Sequence, residues 1–261
     1  MLPGSDKVVL ITGAAQGLGA ASARLLAERG CILSLADING DAVRGVASAC
    51  AAHGAKSTTA IVCDLSAQGA AEAMITDTVR ALGRLDVVIQ CAAAAPAEAF
   101  LDMTEKAWDT ALAVNVRAVA LTMAAAGRAM TRTGGGRIIN ITSAAARMGL
   151  PNYATYAATK AAVDSLTRSG AVALAMHNIT VNSLSPGMMD TPLQVHTEEI
   201  FCRLEGRNDL DQFKRERTAR IPLGRRSDPD EMAKSVVWLA LDAPAYMTAE
   251  RLNVTGGLDK D

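Results

Sequence analysis

The chain has 261 residues, half of them hydrophobic, with only 3% aromatic and a formal net charge of −1. This balance excludes an electrostatic case for nucleic acid or an anionic membrane, and no uninterrupted apolar run approaches the roughly 18 residues of a bilayer span. Cys31, Cys50, Cys63, Cys91 and Cys202 follow no CxxC spacing, and His53, His177 and His196 stand at no ligand-like spacing, which points to free thiols in a reducing cytoplasm and to no metal.

The opening "MLPGSDK" is too short and polar for a signal peptide. "KVVLIT" (7–12) reads as a buried strand, followed by a loop with Gly13, Gly17 and Gly19 and a helix over 17–29. Glycines there permit a tight turn and close backbone approach, and the helix N-terminus favours a phosphate. "CILSLA" (31–36) is the second strand and ends at Asp37, where a dinucleotide fold meets the adenosine ribose. An acid there accepts from a 2′-hydroxyl and repels a 2′-phosphate. Ile38 and Asn39 follow, without Lys or Arg, so NAD is preferred over NADP. Asp37 can instead be a turn or cap residue.

A helix over 40–52 leads to the strand "TTAIVC" (58–63) and Asp64, which either contacts an adenine or caps the next helix, 67–82. "DVVIQC" (86–91), a long helical stretch over 105–131, "GRIINIT" (136–142), a helix over 153–176 and "ITVNSLS" (179–185) continue the alternation. "RLNV" (251–254) is a weaker seventh strand. Alternation at this spacing predicts one doubly wound α/β domain over 1–261, a parallel sheet with helices on both faces. Residues 189–221 are charge-rich and form an excursion, either a substrate lid or a solvated helical hairpin. A helix then starts on Asp228 as N-cap, Pro229 at the first position and Glu231 at the capping-box position.

In "PNYATYAATK" (151–160), Tyr156 and Lys160 are four apart and share a helix face. A cation one turn away favours the phenolate, so Lys160 is expected to lower the Tyr156 pKa and fit it for acid/base work. Ser143, at the end of the fifth strand, can hydrogen-bond the same reacting oxygen. Tyr153 either lines the substrate pocket or packs, with packing preferred.

Together "TGAAQGLG" (12–19), Asn115 in "AVNVRAVAL", Ser143, "YAATK" (156–160) and "PGMMDT" (186–191) resemble the short-chain dehydrogenase/reductase family over nearly the whole chain. The resemblance implies a seven-stranded sheet, a nicotinamide cofactor and a homotetramer. It implies a catalytic set of Asn115, Ser143, Tyr156 and Lys160, with Lys160 also on the nicotinamide ribose and Asn115 anchoring a relay water or serving only helix geometry. Around the cofactor it implies Gly13, Gln16, Gly17, Leu18 and Gly19 from the first loop, and Asp37 and Ile38 from the second. Asp64 and Leu65 come from the third, Cys91, Ala92 and Ala93 from the fourth, and Pro186, Gly187, Met189 and Thr191 after the sixth strand.

The chain departs from the family pattern at Gln90-Cys91-Ala92-Ala93, where Asn-Asn-Ala-Gly is usual, and at Thr248-Ala249 and Thr255-Gly256-Gly257. Cys91 has no basic neighbour in sequence and reads as inert. The expected pocket edge, Ala94, Ala95, Ala144, Met148 and Met188, is small or apolar. The charged segment from Glu198 to Arg220 is similar to inserts in polyol and diol dehydrogenases, which favours a polyol, sugar or diol substrate. The rivals are an NADPH-dependent 3-oxoacyl reductase and a catalytically silent dinucleotide-binding sensor or scaffold.

Overall fold

The computed structural model describes residues 5–259; residues 1–4 of the opening segment and 260–261 lie outside it. Seven strands, β1 (Val8–Thr12), β2 (Ile32–Asp37), β3 (Ser57–Val62), β4 (Val87–Gln90), β5 (Gly136–Ile141), β6 (Ile179–Pro186) and β7 (Arg251–Val254), form one sheet in the order β3-β2-β1-β4-β5-β6-β7. Every pairing is parallel. β1 and β4 are buried along their whole length, as expected of Val/Ile/Leu runs covered by helices on both faces. The predicted weak seventh strand is present at its predicted bounds.

The helices are α1 (Gly17–Glu28), α2 (Gly40–Ala52), α3 (Ala70–Leu82), α4 (Glu105–Ala111), α5 (Ala118–Thr131), α6 (Ala154–Leu174), α7 (Pro192–Leu204), α8 (Leu210–Ala219) and α9 (Pro229–Val237). Strand periodicity sorts the core into two layers. Val9 and Ile11 face Leu26, Val43, Met232 and Val236, whereas Leu10 faces the opposite side with Met74, Val119, Met123 and Val163. Each fully buried aliphatic side chain contributes about 1.5–3 kcal/mol.

The chain leaves β3, crosses back beside β1 and continues outward through β4, so the strand order reverses between β1 and β4. A crevice opens at such a switch point, outside the carboxyl ends of the strands. Gly13, Asp37, Gln90 and Ser143 all belong to those ends.

The predicted helix over 105–131 is interrupted. A π-helical turn, Leu112–Arg117, separates α4 from α5 and turns Asn115 fully inward. This 27-residue run is long and apolar enough to cross a bilayer by length and composition, which the count of uninterrupted apolar residues did not register. Half of its most apolar window is buried inside the protein, against α3 and α6 among others. α3 starts at Ala70 rather than 67, because Gly69 takes a left-handed φ of 77° at its N-cap.

Residues 189–221 form two capped helices. Thr191 accepts from the Gln194 amide (3.2 Å) with Pro192 at the first turn of α7, and Asp209 accepts from the Gln212 amide (2.8 Å) at α8. Phe201, Cys202 and Phe213 bury a small core of their own, with Ala97, Tyr153 and Leu210 packed against it. Most of the charges face solvent, as in the solvated-hairpin alternative, but a subset is paired. Glu198 is fully buried and takes both Arg226 terminal nitrogens (2.8 Å each) and the Arg217 Nε (3.1 Å). Arg207 and Glu216 form a second bidentate pair. At α9, Asp228 caps the Asp230 amide (2.7 Å), but Glu231 does not close the predicted capping box; it pairs with Arg225 at 2.7 and 2.9 Å.

Candidate active site

A cavity of about 480 Å³ lies at the switch point. Its floor is the glycine loop. Gly13 has φ +65°, and a Cβ there would stand 2.7 Å from the Ala92 amide nitrogen. A Cβ on Gly19 would stand 2.1 Å from the Gly13 carbonyl oxygen, so only glycines let loop and helix close this tightly. Gln16 occupies the N-cap of α1 without a side-chain cap bond, which leaves the helix amides directed at the cavity.

Asp37 lines one end. Its carboxylate accepts from the Ala15 amide (3.0 Å) and the Asn39 amide (2.9 Å), so it braces both adjacent loops while facing the cavity. Ile38 lines the same end. Asp64 lines the cavity and does not cap the next helix, which starts at Ala70 with Gly69 as its N-cap; it accepts from the Ser66 amide (2.8 Å), and the Ser66 hydroxyl and amide hold its carboxyl below the usual range. Among the described residues, Lys160 is the only Lys or Arg on the lining.

Cys91, Ala92 and Ala93 form part of the wall. Burial pushes the Cys91 thiol up to about 12 against the opposing influence of Lys160, which makes it an unreactive wall residue. Gln90 points elsewhere. Its amide nitrogen donates to Asn140 Oδ1 (2.9 Å) and the Val119 carbonyl (3.3 Å), and Asn140 donates on to Thr167 (2.9 Å). The longer side chain is therefore satisfied within the core. Ala249, where the family usually has glycine, adopts a left-handed φ of 65°, and Thr248 accepts from the Val181 amide. That departure stores about 1–2 kcal/mol of backbone strain.

Tyr156 and Lys160 both line the cavity, and Lys160 Nζ lies 5.6 Å from the Tyr156 ring centroid. The predicted lowering of the phenol is not found. Burial pushes Tyr156 up to about 12, opposed by its hydrogen bond with Ser143, and burial pushes Lys160 down to about 8. Desolvation dominates, and Lys160 Nζ donates to the Ile141 carbonyl (2.8 Å) rather than to the phenol. In this state the site holds a neutral phenol beside an ammonium at neutral pH.

Ser143 lies just behind the lining. Its Oγ accepts from the Ala145 amide (3.1 Å), and its carbonyl accepts from the partly buried Arg251 (3.1 Å). Asn115 is also off the lining: its side chain exchanges bonds with the Ala94 amide (2.8 Å) and carbonyl (2.7 Å) and donates to Thr159 (3.0 Å). It thus ties the wall at Ala94 to α6. Gly187, expected at the cofactor, is not on the lining; a Cβ there would meet the Thr255 carbonyl at 2.8 Å, so it serves the packing of the β6 end on the C-terminal turn. Pro186, Met189 and Thr191 do line the cavity, as do Leu18, Leu65 and the first-loop glycines. Of the expected pocket edge only Ala94 does.

The sequence reading missed Ala36, Cys63, Ser66, Thr110, Val114, Ile141, Thr142, Pro192 and Leu193 on the lining. Ile141 and Thr142 close a predicted strand and were legible as a strand end; Thr110 comes from α4 and Val114 from the π turn that follows it. Among the described residues no group of three His, Cys, Asp or Glu can hold a metal.

The profile described as Enoyl-(Acyl carrier protein) reductase matches residues 13–259. The chain is 35% identical over 252 residues to the short-chain reductase protein NovJ of Streptomyces niveus, covering 97% of this chain and 94% of that one. Its fold is similar to NAD+-bound xylitol dehydrogenase (TM-score 0.92, 28% identity, covering 97% and 99% of the two chains). It is equally similar to a variant of actinorhodin polyketide ketoreductase with NADPH (TM-score 0.93, 28% identity, covering both chains fully).

Proposed function

The chain belongs to the short-chain dehydrogenase/reductase family, and from that premise we propose that it is an NAD-dependent oxidoreductase interconverting a secondary alcohol and its ketone, with polyols, sugars and diols as its substrate class. The observation that carries this reading is the meeting of Tyr156, Lys160 and Asp37 on one cavity, with Ser143 just behind its lining. The glycine loop, open α1 N-terminus and Asp37 fit a dinucleotide: phosphates on the helix amides, a ribose hydroxyl on Asp37, the second ribose near Lys160. When bound, the nicotinamide takes up or returns the hydride. Tyr156 gives its proton to the ketone oxygen in reduction and removes it from the alcohol in oxidation. Ser143 fixes that oxygen, and the Lys160 charge stabilises the phenolate once the proton has left.

Initial rates with NAD+ or NADP+ against polyols, diols, cyclic secondary alcohols and hydroxyacids test the proposal. Turnover with NAD+ on the hydroxylated class supports it. Preference for NADP+ and a 3-oxoacyl substrate, or NADH binding without any turnover, replaces it by the reductase or the sensor. A second reading, a ring alcohol with few hydroxyls, is favoured by one observation. The buried lid charge, Glu198, is paired with Arg217 and Arg226, and no charged residue of 194–221 lines the cavity, while Ala94, Val114, Met189, Pro192 and Leu193 present apolar surface to it.

Asp37 supports NAD because its carboxylate meets a cavity end that carries no cation. Asp37→Ala is expected to reduce the ratio of NADH to NADPH affinity by about 10–100-fold, the size of a hydrogen bond to a charged group. Calorimetric titration of both proteins with both cofactors measures it, and an unchanged ratio refutes the assignment.

None of the five cysteines forms a disulfide, which suits a reducing compartment. The homotetramer implied by the family is supported by Leu121 on α5 and Val172 on α6, both exposed apolar residues (50% and 79%), and by Met176 just after α6. Val172→Glu is expected to yield a smaller species by light scattering with unchanged circular dichroism; assembly identical to wild type counts against this face.

A further inference from the structure

Tyr153 stands between the lid and Tyr156. The two tyrosine rings stack with centroids 4.4 Å apart and planes 19° apart. The other side of Tyr153 meets Phe201 of α7 edge-on, at 5.1 Å and 87°. Its hydroxyl bonds to Thr197 on the same lid helix, and burial, then Tyr156, then push its phenol pKa upward, so it acts here as a neutral ring. Phe201 is itself covered by the Arg217 guanidinium at 5.0 Å, and Arg217 is held by buried Glu198. Contacts therefore run unbroken from the lid ion pair through Phe201 and Tyr153 to Tyr156.

Tyr156 has reason to need this support. It lies in the first turn of α6, whose N-cap, Tyr153, makes no side-chain cap bond. Its ring turns about two side-chain torsions, and a misplacement of about 1 Å at a reacting group can cost about 100-fold in rate. Stacked aromatic pairs are worth about 0.5–1.5 kcal/mol beyond the area they bury, enough to select one rotamer.

We infer that Tyr153 is a positioning residue that holds the Tyr156 ring in register and makes that register depend on α7 being seated. The inference rests on the reading of Tyr156 as the acid/base. It gives residues 189–221 a duty that covering a substrate alone does not require.

The test compares Tyr153→Ala, Tyr153→Phe and Phe201→Ala with wild type on whichever substrate turns over, with NADH affinity and circular dichroism measured alongside. Tyr153→Ala is expected to lower kcat 10–100-fold with NADH affinity within a factor of two. Tyr153→Phe keeps the stack and is expected to restore kcat to within about threefold. Phe201→Ala, which does not touch Tyr156, is expected to lower kcat in the same direction, and the double alanine variant to fall less than the product of the singles. Wild-type kcat in Tyr153→Ala overturns the inference, as does a Tyr153→Phe variant as slow as the alanine, which would assign the effect to the Thr197 bond. If Tyr153→Ala does not fold, Tyr153→Phe and Phe201→Ala still decide by the same criteria. Full turnover in Tyr156→Phe would instead remove the acid/base reading, an outcome distinct from either.

Discussion

Tyr156→Phe is expected to lower kcat by about 10²–10⁴-fold while leaving NADH binding intact, the range that a positioned acid/base supplies. The substitution removes one oxygen and keeps the ring, so the stack with Tyr153 and the approach of Lys160 survive. What is lost is the proton and the hydrogen bond with Ser143. The pH dependence of the wild type supplies the sign. With its pKa raised to about 12, Tyr156 holds its proton throughout the neutral range and is ready to protonate a ketone. Alcohol oxidation needs the unprotonated phenol, so its rate is expected to rise with pH from 6 to 9, and the rise should vanish in Tyr156→Phe. Stopped-flow measurement of the hydride step in both proteins reads this directly. A variant that turns over at the wild-type rate removes Tyr156 from the chemistry.

Glu198→Ala is expected to destabilise the lid by about 3–5 kcal/mol, because it leaves two guanidinium groups without their buried partner. Glu198 is fully buried, and its partners Arg217 and Arg226 have side chains only 17% and 8% exposed. The surface pairs elsewhere, such as Arg44 with Asp41, are worth far less. Limited proteolysis within 189–221 and the midpoint of thermal unfolding measure the effect, and Glu198→Gln separates the lost charge from the lost volume. Because α7 carries Phe201 and Thr197, kcat should fall together with lid stability. Unchanged cleavage and an unchanged midpoint would mean that the buried triad contributes nothing net.

The strands were legible because each is a short Val/Ile/Leu run bounded by turn residues, and the parallel sheet with helices on both faces followed from their alternation with helices; the strand order did not. The Tyr156–Lys160 pair and its cavity were legible from helix spacing and strand ends. Other features depend on tertiary burial and left no mark in the residue pattern. The π turn at Leu112–Arg117 shifts the helical phase, but the stretch around it is so uniformly Ala-rich and apolar that the shift leaves no break in the pattern. The raised Tyr156 pKa reflects how deeply the fold encloses a residue whose neighbour in sequence argues the other way. The charges of 189–221 look solvated when counted along the chain, and only the folded lid shows Arg217 and Arg226 converging on Glu198. Gly187 is glycine for the sake of Thr255, nearly 70 positions on, rather than for a ligand.

The sheet order also sets a timetable for synthesis. β1 pairs β2 on one side and β4 on the other, through Val9 with Val87 to Thr12 with Gln90. As the chain leaves the ribosome, β3, β2 and β1 can join as soon as Val62 is free, but the far edge of β1 waits roughly 28 residues for β4, about 1–6 s at ~5–20 residues per second. For that interval the apolar edge "VVLIT", later an interior strand of the sheet buried along its whole length, is an open template for pairing with another nascent chain.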